Sequence, residues 1–317
     1  MKVLVTGAAG FIGSHLSERL LSMGHEVVGI DSFTDYYPRV LKDLNAKSIR
    51  VAGAKLFEMD LVGTDLSEAV DGVNYIYHLA AQPGISSKVP FENFVRNNVY
   101  ATQNILEAAL TSNTLKCFVN IGTSSIYGAH ATDTEDAAPK PTSYYGVTKL
   151  ASEQLVLAYN RDKGLPACSF RPFSVYGERE RPEKLYPKLI KSILEGTDFT
   201  LFEGSEKHVR SYTYVGDIID GLVSVIDNID VCNGQIFNLG TDKTITTGDG
   251  ISIIEKALGM KAKIVVVPKR PGDQLETSAN ILKARKLLNY NPQTLVQDGL
   301  TREANWYKQE IFGKIIL

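Results

Sequence analysis

Lys2-Val3-Leu4-Val5-Thr6-Gly7-Ala8-Ala9-Gly10-Phe11-Ile12-Gly13 decides how the rest of the chain is read. Residues 2–5 are aliphatic with no polar face, the pattern of a short buried strand. A glycine turn follows, then a helical stretch over 14–23 that Gly24 stops. Residues 26–30 form a second apolar run ending in Asp31. Strand, glycine turn, helix, strand and a terminal acid is the order of a dinucleotide-binding unit. In that reading Gly7 permits the tight turn and Gly10 lets backbone approach a pyrophosphate. Gly13 lets helix and strand pack closely, while the helix N-terminus offers N–H groups to phosphate. The glycines are spaced three and three rather than two and three, so the flanking elements carry the reading. Asp31 can accept both ribose hydroxyls, and its charge repels a 2′-phosphate, which favours NAD.

The chain has 317 residues and a net charge of −2, so no basic field points to nucleic acid or to an anionic membrane surface. Cys117, Cys168 and Cys232 are scattered, form no metal-ligand spacing and read as buried thiols. No charged-then-apolar leader precedes the first strand, and no apolar run approaches the ~20 residues of a membrane span. The expectation is a soluble, cytoplasmic protein that binds no metal.

Working outward, residues 35–38 read as loop and 40–45 as a short helix. Strands are expected at 55–59, ending at Asp60-Leu61, and at 74–81, whose small exit residues suit close approach to a cofactor. Asp60 is placed to meet an adenine amino group. His78 sits inside the fourth strand and reads as a hydrogen-bonded core histidine. A long helix is expected over 91–111 and a fifth strand over 116–122, followed by Thr123-Ser124-Ser125. Ligands bind at the carboxyl ends of strands in an open parallel sheet, so these clustered hydroxyls carry weight. A proline-rich connection then delivers Tyr144-Tyr145-Gly146-Val147-Thr148-Lys149 to a helix running to about 162, and a sixth strand follows at 167–171. The regular βα alternation implies an α/β fold with a Rossmann-type, doubly wound parallel sheet. Beyond Arg171 the rhythm breaks, and the mixed helices and strands (187–195, 199–202, 210–214, 215–229, 235–239, 248–258, 264–267, then helices from 279 and 295) read as a smaller C-terminal α/β lobe over the first.

Tyr145 and Lys149 stand four apart and share one helical face. A phenol ordinarily titrates near ~10, too high for a base at neutral pH. An ammonium one turn away, together with a positive nicotinamide, stabilises the phenolate. Thr123 supplies a hydroxyl to orient a substrate oxygen.

With these motifs the chain resembles an extended short-chain dehydrogenase/reductase of the NAD-dependent nucleotide-sugar epimerase/dehydratase group, over nearly its whole length. Further motifs carrying the likeness are His78-Leu-Ala-Ala81, Asn97-Asn98-Val99, Thr123-Ser-Ser-Ile-Tyr-Gly128, Arg171-Pro-Phe-Ser-Val-Tyr-Gly177, Val209-Arg-Ser-Tyr-Thr-Tyr-Val215 and Arg270-Pro-Gly-Asp273. The resemblance implies that Phe11, Ile12, Asp31, Asp60, Leu61, Leu79, Ala80, Ala81, Asn98, Tyr145, Lys149 and Pro172 line NAD. It implies that Ser174, Lys184, Leu185, Phe202, Arg210, Arg270 and Asp273 hold a nucleotide diphosphate. A cofactor domain over 1–173, with returns near 212–247, and a sugar-nucleotide lobe mainly over 174–317 are expected. So is a homodimer through helices near 94–110 and 145–162.

In the resembling dehydratases and decarboxylases an acid accompanies the catalytic threonine or serine. Here Ser124 and Ser125 stand in those positions, which argues for 4-epimerisation of a UDP-sugar over dehydration; a net-redox enzyme on a similar sugar and a non-catalytic NAD-sensing protein are the rival readings. Residues 31–38 resemble glucuronate 4-epimerases, and Ser124, Ser125, Ser174 and Arg181 offer partners for a carboxylate. Ser86 instead of arginine counts against glucuronate. Thr277 stands where a bulky tyrosine narrows glucose-restricted pockets, so a small residue there also admits an N-acetyl group. Glucuronate is placed ahead of glucose and N-acetylglucosamine.

Overall fold

The computed structural model describes residues 1–84, 89–268 and 276–315. Seven strands form the central sheet: β1 (Lys2–Thr6), β2 (Glu26–Asp31), β3 (Lys55–Glu58), β4 (Tyr75–His78), β5 (Cys117–Ile121), β6 (Ala167–Pro172) and β7 (Ile236–Leu239). Their order is β7-β6-β5-β4-β1-β2-β3, and every neighbouring pair is parallel. This is the doubly wound arrangement the sequence implies, and it reverses direction between β1 and β4, where ligands bind in such sheets. Helices cover both faces, so the inner strands are apolar in both directions: β5 is buried at every position. One core gathers Val3, Val5, Val119 and Phe170 with Ile218 and Leu222, the other Leu4, Ile76, Phe118 and Ile105. A third core, with Tyr186, Leu189, Ile190, Ile254 and Leu300, gathers buried residues between Tyr176 and Ile311.

The glycine turn is built as its sequence demands. Gly7 sits at φ +70°, and a Cβ on Gly13 would lie 2.1 Å from the Gly7 carbonyl oxygen. Helix α1 (Phe11–Ser22) therefore starts directly against the turn.

Several expected elements differ, and the short helix expected over 40–45 runs from Arg39 to Val51. The helix over 91–111 is broken by a wide π turn at Val95–Tyr100 between α-helical Phe91–Phe94 and Ala101–Leu110. The strand expected at 210–214 is two short strands in different sheets: Val209–Arg210 pairs with Ile245–Thr246 and Glu276–Thr277, and Thr213–Tyr214 pairs with Val175–Tyr176. The helix over 215–229 stops at Val223 and continues as a 3-10 turn, Ser224–Ile226. The broken helix and the split strand depend on distant partners rather than on local periodicity. The three cysteines are buried and free. Among the described residues no helix is long and apolar enough to cross a membrane.

His78 is wholly buried on β4. Thr102 Oγ1 donates to the Asn98 carbonyl at 2.6 Å, so it accepts from His78 Nε2–H at 2.9 Å. Nδ1 is then left as the acceptor for the Thr6 hydroxyl at 2.9 Å. Burial, with the Lys149 charge adding to it, lowers the imidazole from 6.5 to about 3. Below pH ~6.5 the unfolded chain takes up a proton that the native ring refuses, so this group's contribution to stability is lost as pH falls from ~6.5 toward ~3, by up to about 1.4 kcal/mol per pH unit. The expected result is a His78 NMR ring signal that does not move between about pH 8 and about pH 5; a midpoint near the free-histidine value would contradict the assignment.

Candidate active site

A cleft of about 1160 Å³ opens along the carboxyl ends of β1, β2, β4, β5 and β6 and runs on between residues such as Glu180, Lys184, Phe202 and Tyr212. Single-ligand pockets commonly hold ~300–1,000 Å³, so this one has room for more than one molecule. Gly7, Gly10, Phe11, Ile12, Gly13, Asp31, Asp60, Leu61, Leu79, Ala80 and Ala81 line one end. Thr123, Ser124, Ser125, Tyr145, Lys149 and Pro172 line the middle, and Ser174, Arg181, Lys184, Leu185, Phe202 and Arg210 the far end.

The near end has the features of a dinucleotide cradle. Helix α1 begins at Gly10 without a side-chain cap and carries no acid in its first turn, so its N–H groups remain open to an anion. Asp31 is 7% exposed. Its Oδ2 accepts from the Ala9 N–H at 3.1 Å and its Oδ1 from the Phe33 N–H at 2.8 Å. Each carboxylate oxygen keeps a second acceptor position, so a ribose diol can still be met. Burial raises its pKa against the opposing pull of Lys42 and the two N–H groups. Asp60, expected to meet an adenine amino group, lines the cleft and is held there by two contacts. Oδ1 accepts from Val62 N–H at 2.8 Å and Oδ2 from Arg96 at 2.7 Å.

Asn98 is brought close but does not line the cleft; Asn97 does. The π turn rotates Asn98 inward, where it is 1% exposed. There it accepts from Gln82 N–H at 2.7 Å and donates to Thr148 Oγ1 at 2.9 Å. It thus braces the loop after β4 against the helix that carries Tyr145.

In the middle, Ser143 caps helix α2 (Tyr144–Lys163) by accepting from Gly146 N–H at 3.1 Å. This fixes Tyr145 and Lys149 in the first two turns, on the face toward β5. Thr123 is the N-cap of a 3-10 turn, Ser124–Tyr127, and accepts from Ser125 N–H at 3.1 Å. Its hydroxyl also meets the Tyr145 phenol. Burial pushes that phenol above its ordinary value, while the Thr123 hydrogen bond and the Arg181 guanidinium act the other way. Lys149 is 2% exposed. Its ammonium is lowered to about 8 by burial, and Glu153 opposes the shift.

Toward the far end Ser174, two residues past the end of β6, holds φ +28°, a strained value for a residue with a side chain. Arg181 lies over the Tyr36 ring and pairs with Glu183 at 2.9 Å. Thr277 does not line the cleft. It pairs in register with Arg210, is 3% exposed, and its hydroxyl has no hydrogen-bond partner among the described residues. Arg270, Asp273 and Ser86 lie outside the described residues. The sequence reading gave no site role to Tyr36, Tyr37 and Lys42 beside Asp31, or to Glu180, Tyr186 and Tyr212 at the far end, although three of these tyrosines stand in its motifs. No periodicity marks them, because loops and distant segments bring them in.

The family model described as "NAD dependent epimerase/dehydratase family" matches residues 3–240. The "Uncharacterized UDP-glucose epimerase YtcB" of Bacillus subtilis (strain 168) is 38% identical over 308 residues, covering 96% of each chain. "UDP-glucuronate 4-epimerase 3" of Arabidopsis thaliana is 34% identical over 96% of this chain and 76% of its own length. Among solved structures, the UDP-glucuronic acid 4-epimerase from Bacillus cereus in complex with UDP-glucuronic acid and NAD superposes with a TM-score of 0.92. It is 39% identical, over 98% of this chain and 99% of that one.

Proposed function

Because the chain belongs to the NAD dependent epimerase/dehydratase family, we propose that it is an NAD-dependent UDP-sugar 4-epimerase, with UDP-glucuronate ahead of UDP-glucose. The observation that carries this reading is the meeting of Thr123, Tyr145 and Lys149 in one cleft with the uncapped start of α1 and with Ser124 and Ser125, where a dehydrating enzyme needs an acid. NAD, when bound, supplies the hydride acceptor and donor for C4. Tyr145 takes the proton of the C4 hydroxyl as the 4-keto sugar forms and returns it after the sugar has turned over. Lys149 stabilises the phenolate, and Thr123 holds the reacting oxygen in line with it. Lys184 and Arg210 meet the diphosphate, a pairing that favours cationic side chains. Ser124, Ser125 and Ser174, with Arg181 behind them, offer hydrogen bonds to a C6 carboxylate. The Bacillus cereus complex with UDP-glucuronic acid supports that preference.

The test is to incubate the purified protein with UDP-glucuronate, UDP-glucose and UDP-N-acetylglucosamine and to resolve the C4 epimers. Fastest conversion of UDP-glucuronate is expected. Equal or faster conversion of UDP-glucose would move the assignment to the neutral sugar. Accumulation of NADH would replace it with net redox.

The reading includes a homodimer. Phe91, Tyr100, Tyr144 and Val147 leave 41%, 53%, 55% and 44% of their surfaces exposed on neighbouring helices, and the Phe91 and Tyr144 rings already meet at a tilt, with centroids 5.0 Å apart. Light scattering at micromolar concentration is expected to give twice the 34.8 kDa chain mass; a monomer would remove this part of the proposal.

A further inference from the structure

Behind the Tyr145–Lys149 pair lies a buried ion pair that the mechanism does not use. Glu153 is the next residue on the same face of α2, one turn beyond Lys149. It is 1% exposed, and Arg171, on β6, is 2% exposed. The two meet as a fork: Arg171 Nη2 to Glu153 Oε1 at 2.7 Å and Nε to Oε2 at 3.0 Å. Ser169 adds a hydroxyl to Oε2 at 3.1 Å and is itself held by Asn120 at 2.9 Å. The other arm of Arg171 donates to Tyr127 Oη at 2.8 Å and to the Glu135 carbonyl at 3.1 Å. A fully buried ion pair is weak evidence for stability, since apolar replacements often serve as well. Its position suggests another use.

The geometry points to Glu153 as a positioning residue for Lys149: its carboxylate, locked by Arg171, lays a negative charge beneath the buried ammonium while leaving that ammonium free to face the cleft. The lock matters as much as the charge. A loose carboxylate one turn away would capture Lys149 and draw it from Tyr145. Among the described residues Lys149 makes no ion pair, although it lines the cleft. The charged and titratable groups around it are Tyr145 and Glu153 on its own helix, the neutral His78 from β4 and Arg171 from β6, with Arg181 acting on Tyr145 from the far end. Glu153 is the one anion among them, and it opposes the lowering of Lys149 by burial. The inference rests on the reading of Tyr145 and Lys149 as the proton-transfer pair, but its test does not.

The full-length protein, labelled with ¹³C at lysine Cε, is titrated by NMR with and without added NAD, and the Lys149 signal is assigned from Lys149→Arg. The wild-type midpoint is expected near about 8. Removing the neighbouring anion disfavours the ammonium, so Glu153→Gln is expected to move the midpoint toward acid by about one pH unit or more. The alkaline limb of kcat is expected to follow it, with KM for the UDP-sugar little changed. Glu153→Asp keeps the charge and should restore most of the shift. Glu153→Gln strands the Arg171 charge, so the double variant Glu153→Gln/Arg171→Met, which removes both charges, serves where the single one fails to fold. It too should titrate below wild type. An unmoved midpoint in the folded variant, or a fall in Glu153→Asp as large as in Glu153→Gln, overturns the proposal. A wild type that moves no UDP-sugar epimer leaves this midpoint to be read, so the two failures are separable.

Discussion

Replacing Tyr145 by Phe is expected to abolish turnover while NAD and UDP remain bound. In the proposed mechanism the phenol accepts the C4 hydroxyl proton, and loss of a positioned general base costs on the order of 10²-fold or more in kcat. Tyr145 packs partly buried beside Thr123, and Phe preserves the ring and its contacts. The fold and the cleft should therefore be unchanged. Steady-state kinetics with a UDP-sugar, with NAD content measured on the denatured protein, separate the two effects. A variant that turns over within about threefold of wild type, well short of the loss a missing general base brings, would place the base elsewhere. One that loses NAD along with activity would make Tyr145 a binding residue first.

Gly13→Ala is the second large effect. Its Cβ would stand 2.1 Å from the Gly7 carbonyl oxygen and 2.9 Å from the Gly7 carbonyl carbon. Both are backbone atoms of the tight turn, which cannot swing aside as a side chain can. Relief requires α1 to move away from β1, and overpacking of this kind costs typically ~1–3 kcal/mol or more. The same movement withdraws the open helix N-terminus from the phosphates. The expected outcome is a lower unfolding temperature and a protein that does not retain NAD through purification. Wild-type thermal stability together with wild-type NAD content would contradict the cradle described here.

The cradle and the catalytic helix were legible because their signals are local. Residues 2–13 combine one buried strand, one glycine turn and one helix start. Tyr145 and Lys149 need only a helical spacing to share a face. What escaped the sequence depends on partners far along the chain. Asn97 faces the cleft while Asn98 turns inward to Gln82 and Thr148, because a π turn adds a residue to one helical turn. Asp60 meets Arg96 across 36 positions. Residues 210–214 look like one strand, yet Ser211 and Tyr212 separate two short strands that join different sheets. Thr277 has a motif position suggesting the sugar pocket, but its strand turns it into the protein between Arg210 and Ala131.

The central claim is that hydride leaves C4 of a UDP-sugar and returns to the same carbon on the other face. A UDP-glucuronate carrying deuterium at C4 measures this directly, with the C4 epimer isolated and its isotope content read by mass spectrometry. The account predicts full retention of deuterium at C4 and no build-up of absorbance from free NADH. Loss of the label to solvent, or NADH formed in proportion to product, would contradict it.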